Sequence, residues 1–397
     1  MIPVQASGEA GIYVVELSRP TGEFWALHLV REGGAPMTEV AYRWAREGDD
    51  AHDWRPLHPA GHSPRVDVSG QIFIPAEYSR IAFRLPDAGF LAHLFDPGPS
   101  IAEPTPQSLS SSEDDCIQPF ALSRGDWCPN GNCPEISNPV FTVVTHLPVH
   151  HSAGANSSSD WAAVVRAIWN FHVNTNGWSD VGYNYLIDPE GMIYVGRGED
   201  VRGAHFCGNN TGTMGICLLG TFTNQTPSLA AIESLANLLA WKTSKNDIDP
   251  QLSSFHPPTG AIIPHIVPHQ GGCSTACPGA SFVPLFDVLR QQVADTIASC
   301  MVSGTSAGGD LSAQLTVSPN PAKDWVAIQG TIQINSSQNQ IDWALLDLFG
   351  RPIQTGKWTA HSGQIDQRIE LRHLPAEVYI LKISSGNLFG SYWIVKE

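Results

Sequence analysis

The stretch from Pro264 to Gly279, P-H-I-V-P-H-Q-G-G-C-S-T-A-C-P-G, sets the tightest limit on what this chain can fold into. Proline lacks the amide proton that a helix interior or a central sheet ladder needs, and glycine favours turns, so this segment must be a loop. His269 and Cys277 sit eight residues apart within it, and the loop has to curl around something. A metal ion is the natural occupant. Imidazole and thiolate are preferred ligands of Zn²⁺, and a catalytic zinc site uses three protein ligands while keeping one position open for water. The third ligand comes from elsewhere, and His150 or His151 in H-L-P-V-H-H-S-A-G supplies it. The run Val140 to Thr145 ahead of that pair is rich in β-branched residues and predicts a buried strand, with the ligand held at the end of a rigid element.

At 397 residues and 42% hydrophobic content the chain is long enough for two or three domains with cores of their own. No run of eighteen or more apolar residues occurs, so no transmembrane segment is expected. The start, M-I-P-V-Q-A-S-G-E-A, lacks a basic region followed by an apolar one, so no secretory signal is visible in it. A net charge of -16 argues against nucleic acid or an anionic membrane surface as a partner, because both need a basic face. Residues 1–98 carry short alternating runs (Ile12 to Leu17, Phe24 to Val30, Val66 to Ile74, Arg80 to Leu85) and predict an antiparallel β module, with His28, His52, His58, His62 and His93 scattered through it. Residues 99–122 are too polar and proline-rich to bury a core and predict a linker. A central domain over 123–300, a second linker over 301–313 and a compact β pattern over 314–397 complete the chain.

Within the central domain, G-Y-N-Y-L-I-D-P-E-G-M-I-Y-V-G-R-G (182–198) predicts a hairpin turning at D-P-E-G. Ser157 to Ser159 offer N-caps to a helix that carries Trp161, Val164, Val165, Ile168 and His172 on one face, packed on a sheet. M-G-I-C-L-L-G-T-F (214–222) predicts a strand buried on both faces, and two further helices are expected over 228–243 and 282–298. Strands interspersed with helices imply an α/β architecture, a mixed β-sheet flanked by helices. Cys128 and Cys133 flank a P-N-G-N turn at disulfide spacing. Assigning Cys277 to metal leaves seven cysteines, an odd number, in a setting that permits disulfides.

Seven blocks then occur in one order: S-R-G-D-W (123–127), V-H-H-S-A (149–153), W-S-D-V-G-Y-N-Y (178–185), I-Y-V-G-R-G (193–198), G-A-H (203–205), M-G-I-C-L-L-G-T-F (214–222) and H-x7-C-P-G (269–279). Through them residues 123–300 resemble the zinc-dependent N-acetylmuramoyl-L-alanine amidases of the peptidoglycan recognition protein and amidase type 2 family. The resemblance implies that His150, the first of the adjacent pair, joins His269 and Cys277 as a zinc ligand. It implies that Tyr183 orients the water or donates its hydroxyl proton to the developing oxyanion, that Thr275 is an oxyanion partner, and that His172, His205 and Asn210 contact substrate. Asn176 stands where several relatives carry an arginine that selects among stem peptides. The implied reaction is hydrolysis, by a zinc-activated water, of the amide between N-acetylmuramic acid and L-alanine in peptidoglycan or a muropeptide. The alternative is a non-catalytic peptidoglycan-binding protein, whose usual mark is loss of the thiolate ligand; Cys277 is present. A metalloprotease is suggested by His265 and His269 at four-residue spacing, but that motif needs a helix and an intervening glutamate, and Pro264 and Pro268 disfavour the helix.

The C-terminal blocks S-P-N-P, D-L-F-G-R, L-P-A-E-V-Y and a lysine-containing end resemble the sorting domain of type IX secretion cargo. The β-sandwich modules expected at both ends would then differ in role. The last would address a secretion translocon, with the protein secreted or at the outer cell surface; the first has no assigned role.

Overall fold

The computed structural model describes residues 2–9, 11–38, 40–45, 53–58, 65–99, 116, 118–303, 315–332, 340–346, 352–360, 363–385 and 388–397. Most of the two expected linkers, and His52 and His62, lie outside the described residues. The chain divides into two compact units: Met1–Ser108 with Phe120–Leu235 and Leu252–Val283, and Leu109–Pro119 with Ala236–Gln251 and Pro284–Glu397.

The first unit opens with a sandwich of short strands. Strands β1 (Ile2–Pro3), β4 (Phe24–Arg31), β7 (Ile72–Pro75) and β9 (Phe90–Phe95) form one sheet in the order β1-β9-β4-β7. The second contains β2 (Gln5–Ala6), β3 (Ile12–Glu16), β5 (Val40–Ala45), β6 (Arg55–Leu57) and β8 (Arg80–Arg84), ordered β2-β3-β8-β5-β6. Leu27, Leu29, Ile74, Ile81 and Phe83 fill the space between them. This is the antiparallel module that the alternation predicts.

The central sheet is mixed. It runs β12-β11-β13-β10-β16, from β10 (Leu147–His151), β11 (Tyr185–Ile187), β12 (Ile193–Val195), β13 (Ile216–Leu218) and β16 (Ile266–Pro268), with only the β11–β12 hairpin antiparallel. Asp188 makes the hairpin turn: its Oδ1 accepts the amide protons of Glu190 and Met192, and its Oδ2 accepts the Tyr194 hydroxyl at 2.7 Å. The predicted strand at Val140 to Thr145 is displaced. That segment is extended but pairs only through an isolated bridge, Phe141 to Val201, and Phe141 and Val143 are 69% and 80% exposed. The strand forms at Leu147–His151 because β16 pairs with Leu147–Val149 and β13 with Val149–His151, so β-branching favours extension but neighbours decide burial. A small hairpin of β14 (Ser253–His256) and β15 (Ala261–Pro264) stands apart from the sheet.

After the short α1 (Arg124–Trp127), helix α2 (Trp161–Asn170) is capped not by the serines but by Asp160, whose Oδ1 accepts the Ala163 amide at 2.8 Å. Nine of its ten residues are buried, where a one-faced helix would expose half. The cause is a second contact. Phe24, Ala26 and Phe73 of the sandwich share a core with Trp161, Val165 and Trp169 of α2, and with Leu186 of the sheet. The buried Arg166 reinforces the joint, donating to the carbonyls of Pro97 and Trp127 at 2.6 Å each and of Gly98 at 2.8 Å.

Helix α3 (Leu229–Lys245) has Ser228 as its cap, Oγ accepting the Ala231 amide. Helix α4 (Phe286–Ser303) begins later than the pattern suggests, after a single tight turn at Val283–Leu285 that holds Pro284. In the second unit β17 (Leu315–Ser318), β18 (Trp325–Thr331) and β21 (Gln364–Glu370) make one sheet. A second sheet runs β20-β19-β22-β23, from β19 (Gln340–Leu346), β20 (Pro352–Thr359), β22 (Val378–Ser385) and β23 (Leu388–Val395). Their shared core contains Val326, Ile328, Ile341, Leu345, Leu381 and Ile394. A disulfide between Cys116 and Cys300 ties the segment before the central domain to the end of α4.

Candidate metal centre

Strand pairing brings two histidines side by side. In the parallel pair β10–β16, Val149 faces Pro268, so the residues that follow, His150 in β10 and His269 just past the end of β16, meet with ring centroids 4.4 Å apart. Gln270 N donates to Cys277 O at 3.0 Å and curls the loop back. That closure sets Cys277 Sγ 3.9 Å from His150 Nδ1. One ligand atom from each of His150, His269 and Cys277 lies within 4.8 Å of the other two, and all three residues are buried. His151, pointing to the opposite face of the strand, is engaged differently: its Nδ1 accepts the Phe222 amide.

Cys277 is a free cysteine, 1% exposed, whose Sγ accepts the His151 amide at 3.3 Å. Burial pushes its thiol well above the ordinary range. Cys207, His269 and Cys273 form a second close group, but the two cysteines are joined as a disulfide and offer no thiolate. Cys128 and Cys133 are bonded as their spacing suggests.

Tyr183 is 4% exposed, with its ring 5.3 Å from that of His150. Its hydroxyl is hydrogen-bonded to the Cys217 thiol, and burial raises its pKa far above that of free tyrosine, so it stays protonated. Cys217 is the residue that sequence reasoning left without a role. It faces His150 across the β10–β13 pair and is the other free, buried cysteine among the described residues. Its only signal in the sequence is its place in the middle of a doubly buried strand. Cys277, Tyr183, His172 and Thr275 line a cavity of about 570 Å³. His172 Nδ1 accepts the Gly182 amide at 3.0 Å, and Thr275 Oγ1 accepts the Cys277 amide at 3.2 Å.

Residues 140–280 match the N-acetylmuramoyl-L-alanine amidase family. Similar proteins include peptidoglycan-recognition protein SC2 of Drosophila melanogaster, 31% identical over 163 residues that cover 40% of this chain and 80% of that protein. Peptidoglycan-recognition protein LB of the same organism is 31% identical over 161 residues, covering 40% and 63%. This chain belongs to the amidase family of the peptidoglycan-recognition proteins. Among solved structures, the amidase domain is similar to Drosophila PGRP-LB, at 29% identity over 41% of this chain and 89% of that one, with a TM-score of 0.34. Residues 316–397 of this family member match a secretion system C-terminal sorting domain. No helix among its described residues is long and apolar enough to cross a membrane.

The remaining expected residues of this amidase-family domain lie off the cavity wall. His205 is 6% exposed and sits behind His150, its Nδ1 3.1 Å from His150 Nε2. Gly203 and Gly215 make room for it: a Cβ at either would come within 2.3 and 2.5 Å of the imidazole ring. Asn210 holds the loop, its Oδ1 accepting the His205 and Phe206 amides at 2.8 and 2.9 Å, and it lines a different pocket beside Arg197 and Arg202. Asn176 ends the helical turn that extends α2, its amide bonded to the Phe171 carbonyl, and is outside the lining of the 570 Å³ cavity.

Proposed function

We propose that this protein is a zinc-dependent N-acetylmuramoyl-L-alanine amidase that cuts the amide between the lactyl group of N-acetylmuramic acid and L-alanine in peptidoglycan. The reading rests above all on the convergence of His150, His269 and Cys277 beside an open cavity. The donor set fits the ion. Two imidazoles and one thiolate suit zinc by softness, and three protein ligands leave a position for substrate or water. Cys277 is a free thiol beside two imidazoles, and a coordinating thiol is deprotonated outright. When bound, zinc supplies a Lewis acid and lowers the pKa of water from about 15.7 to about 7.

The protein's own residues do the rest. Tyr183, kept protonated by burial, would turn its hydroxyl from Cys217 to the oxyanion that develops on the scissile carbonyl. Thr275 braces the loop beneath Cys277 and presents its side chain to the same cavity. His172 is fixed by the Gly182 amide and by its ring contact with Trp178, 4.6 Å away, and lines the wall against which substrate rests. The C-terminal sorting domain would deliver this activity to the cell surface or beyond through a secretion translocon.

Mass spectrometry of purified peptidoglycan incubated with the protein, with and without chelator, tests the reading. Free stem peptides beginning at L-alanine should appear only with metal. Binding to peptidoglycan with no such release would leave a non-catalytic recognition protein, and release that survives full removal of metal would exclude the zinc chemistry.

A further inference from the structure

The N-terminal sandwich supplies one side of the cavity that the metal cluster opens into. Tyr42, Trp44, Arg55 and His58 line it opposite Tyr183 and Cys277. The wall is fixed in place, because Phe24, Ala26 and Phe73 of the same sandwich are built into the core around α2. A volume of about 570 Å³ is that of a site for one ligand, and both sides line it.

The chemistry of this wall is selective. The chain carries 38 acidic against 22 basic residues, yet no Asp or Glu is among the described residues lining the cavity. Arg55 lies over the Trp44 ring at 4.3 Å and is hydrogen-bonded to the Tyr42 hydroxyl; Tyr42 and Trp44 in turn pack 5.6 Å apart. Two aromatic rings thus orient a guanidinium without neutralising it, which leaves donors of its planar fork for a carboxylate. Of the two halves of a muropeptide, the stem peptide is the one rich in carboxylates. We propose that Arg55, seated on Trp44 and Tyr42, is a specificity-determining residue that holds a stem-peptide carboxylate, so that the N-terminal sandwich is part of the substrate site. This inference rests on the amidase reading and adds to it a role for a segment that lies outside the family match.

The test uses the full zinc-loaded chain and two soluble muropeptides that differ only in whether the stem carboxylates are free or amidated. Arg55→Gln should raise KM for the free acid about ten- to hundredfold, the loss of a charge-assisted bond, and erase the preference over the amidated form. Arg55→Lys should recover part of it. Arg55 is exposed, so these variants should fold. Calorimetry with chelated protein reads the same comparison as Kd. An unchanged ratio of free to amidated substrate in Arg55→Gln, with wild type active, overturns this inference alone. Wild type that binds without cutting overturns the amidase reading, and the Kd ratio then decides the wall; wild type that does neither overturns both.

Discussion

His150 and His205 form a hydrogen-bonded pair, Nε2 to Nδ1 at 3.1 Å, behind the metal cluster. Burial, with the Arg197 charge adding to it, lowers the His205 pKa to about 3, so its ring is neutral at any ordinary pH. Thr213 Oγ1 gives its proton to the Asn210 carbonyl, so towards His205 Nε2, 3.4 Å away, it can only accept. The His205 proton is thereby assigned to Nε2, and its Nδ1 must accept from His150 Nε2. His150 is left with a lone pair on Nδ1, the nitrogen 3.9 Å from Cys277 Sγ. Partners of this kind typically account for 10- to 100-fold in metal affinity. His205→Ala should therefore weaken zinc binding by about that factor, read by competition with a chromogenic chelator. An unchanged zinc affinity would remove His205 from this role.

Tyr183 should separate chemistry from metal binding. Its hydroxyl is paired with the Cys217 thiol, which is not one of the three cluster ligands. Tyr183→Phe is expected to keep full zinc content while turnover falls about a hundred- to thousandfold, the usual effect of losing one oxyanion donor. A comparable loss of zinc would mean that the ring acts on the metal site instead.

Cys277→Ser removes the thiolate but leaves a side chain of similar size in a site that is 1% exposed. Stoichiometric zinc and stem-peptide release should both be lost, with circular dichroism unchanged because the serine hydroxyl can still accept the His151 amide that Cys277 Sγ holds. Retention of activity without bound metal is the outcome that the metal reading does not survive.

Much of this site was legible in the sequence because its chemistry is concentrated in rare residue types. Pro278 and the glycines of 271–279 keep the chain around Cys277 in a loop, and the paired histidines at 150 and 151 stand out in any register, but the loop expected from Pro264 onward starts later: Ile266–Pro268 forms β16 at the sheet edge, with Pro268 as its last residue. The position of the strand was less legible. Val140 to Thr145 has the stronger β composition, but the strand forms at Leu147–His151, where β13 and β16 are available on either side, and pairing partners remote in sequence leave no local trace. The all-round burial of α2 was hidden for the same reason, since half of it depends on Phe24 and Phe73 in a module that local patterning treats as separate. Cys217 was invisible as a partner of Tyr183 because a thiol in a hydrophobic strand looks like any small core residue.

The joint between the sandwich and α2 should be sensitive to acid. His28, on β4, is 2% exposed, with Nε2 3.0 Å from Thr175 Oγ1 and 3.1 Å from His93 Nδ1. Burial, then the neighbouring His93 and the Arg65 charge, lower its pKa from 6.5 to about 3. The folded protein therefore keeps His28 neutral where the unfolded chain would protonate it. Above pH 6.5 neither state binds the proton and folding carries no penalty. As pH falls from 6.5 towards 3 the unfolded state gains the proton alone, and stability drops by up to about 1.4 kcal/mol per pH unit from this group. His146, also lowered, to about 4, adds a slope of the same sign elsewhere in the unit, so wild type alone cannot apportion the effect. His28→Gln can, because glutamine still offers Thr175 a hydrogen-bonding partner but does not titrate. Melting temperatures measured between pH 7 and pH 4 should fall less steeply for His28→Gln than for wild type; parallel curves would show that His28 does not carry the acid sensitivity of this joint.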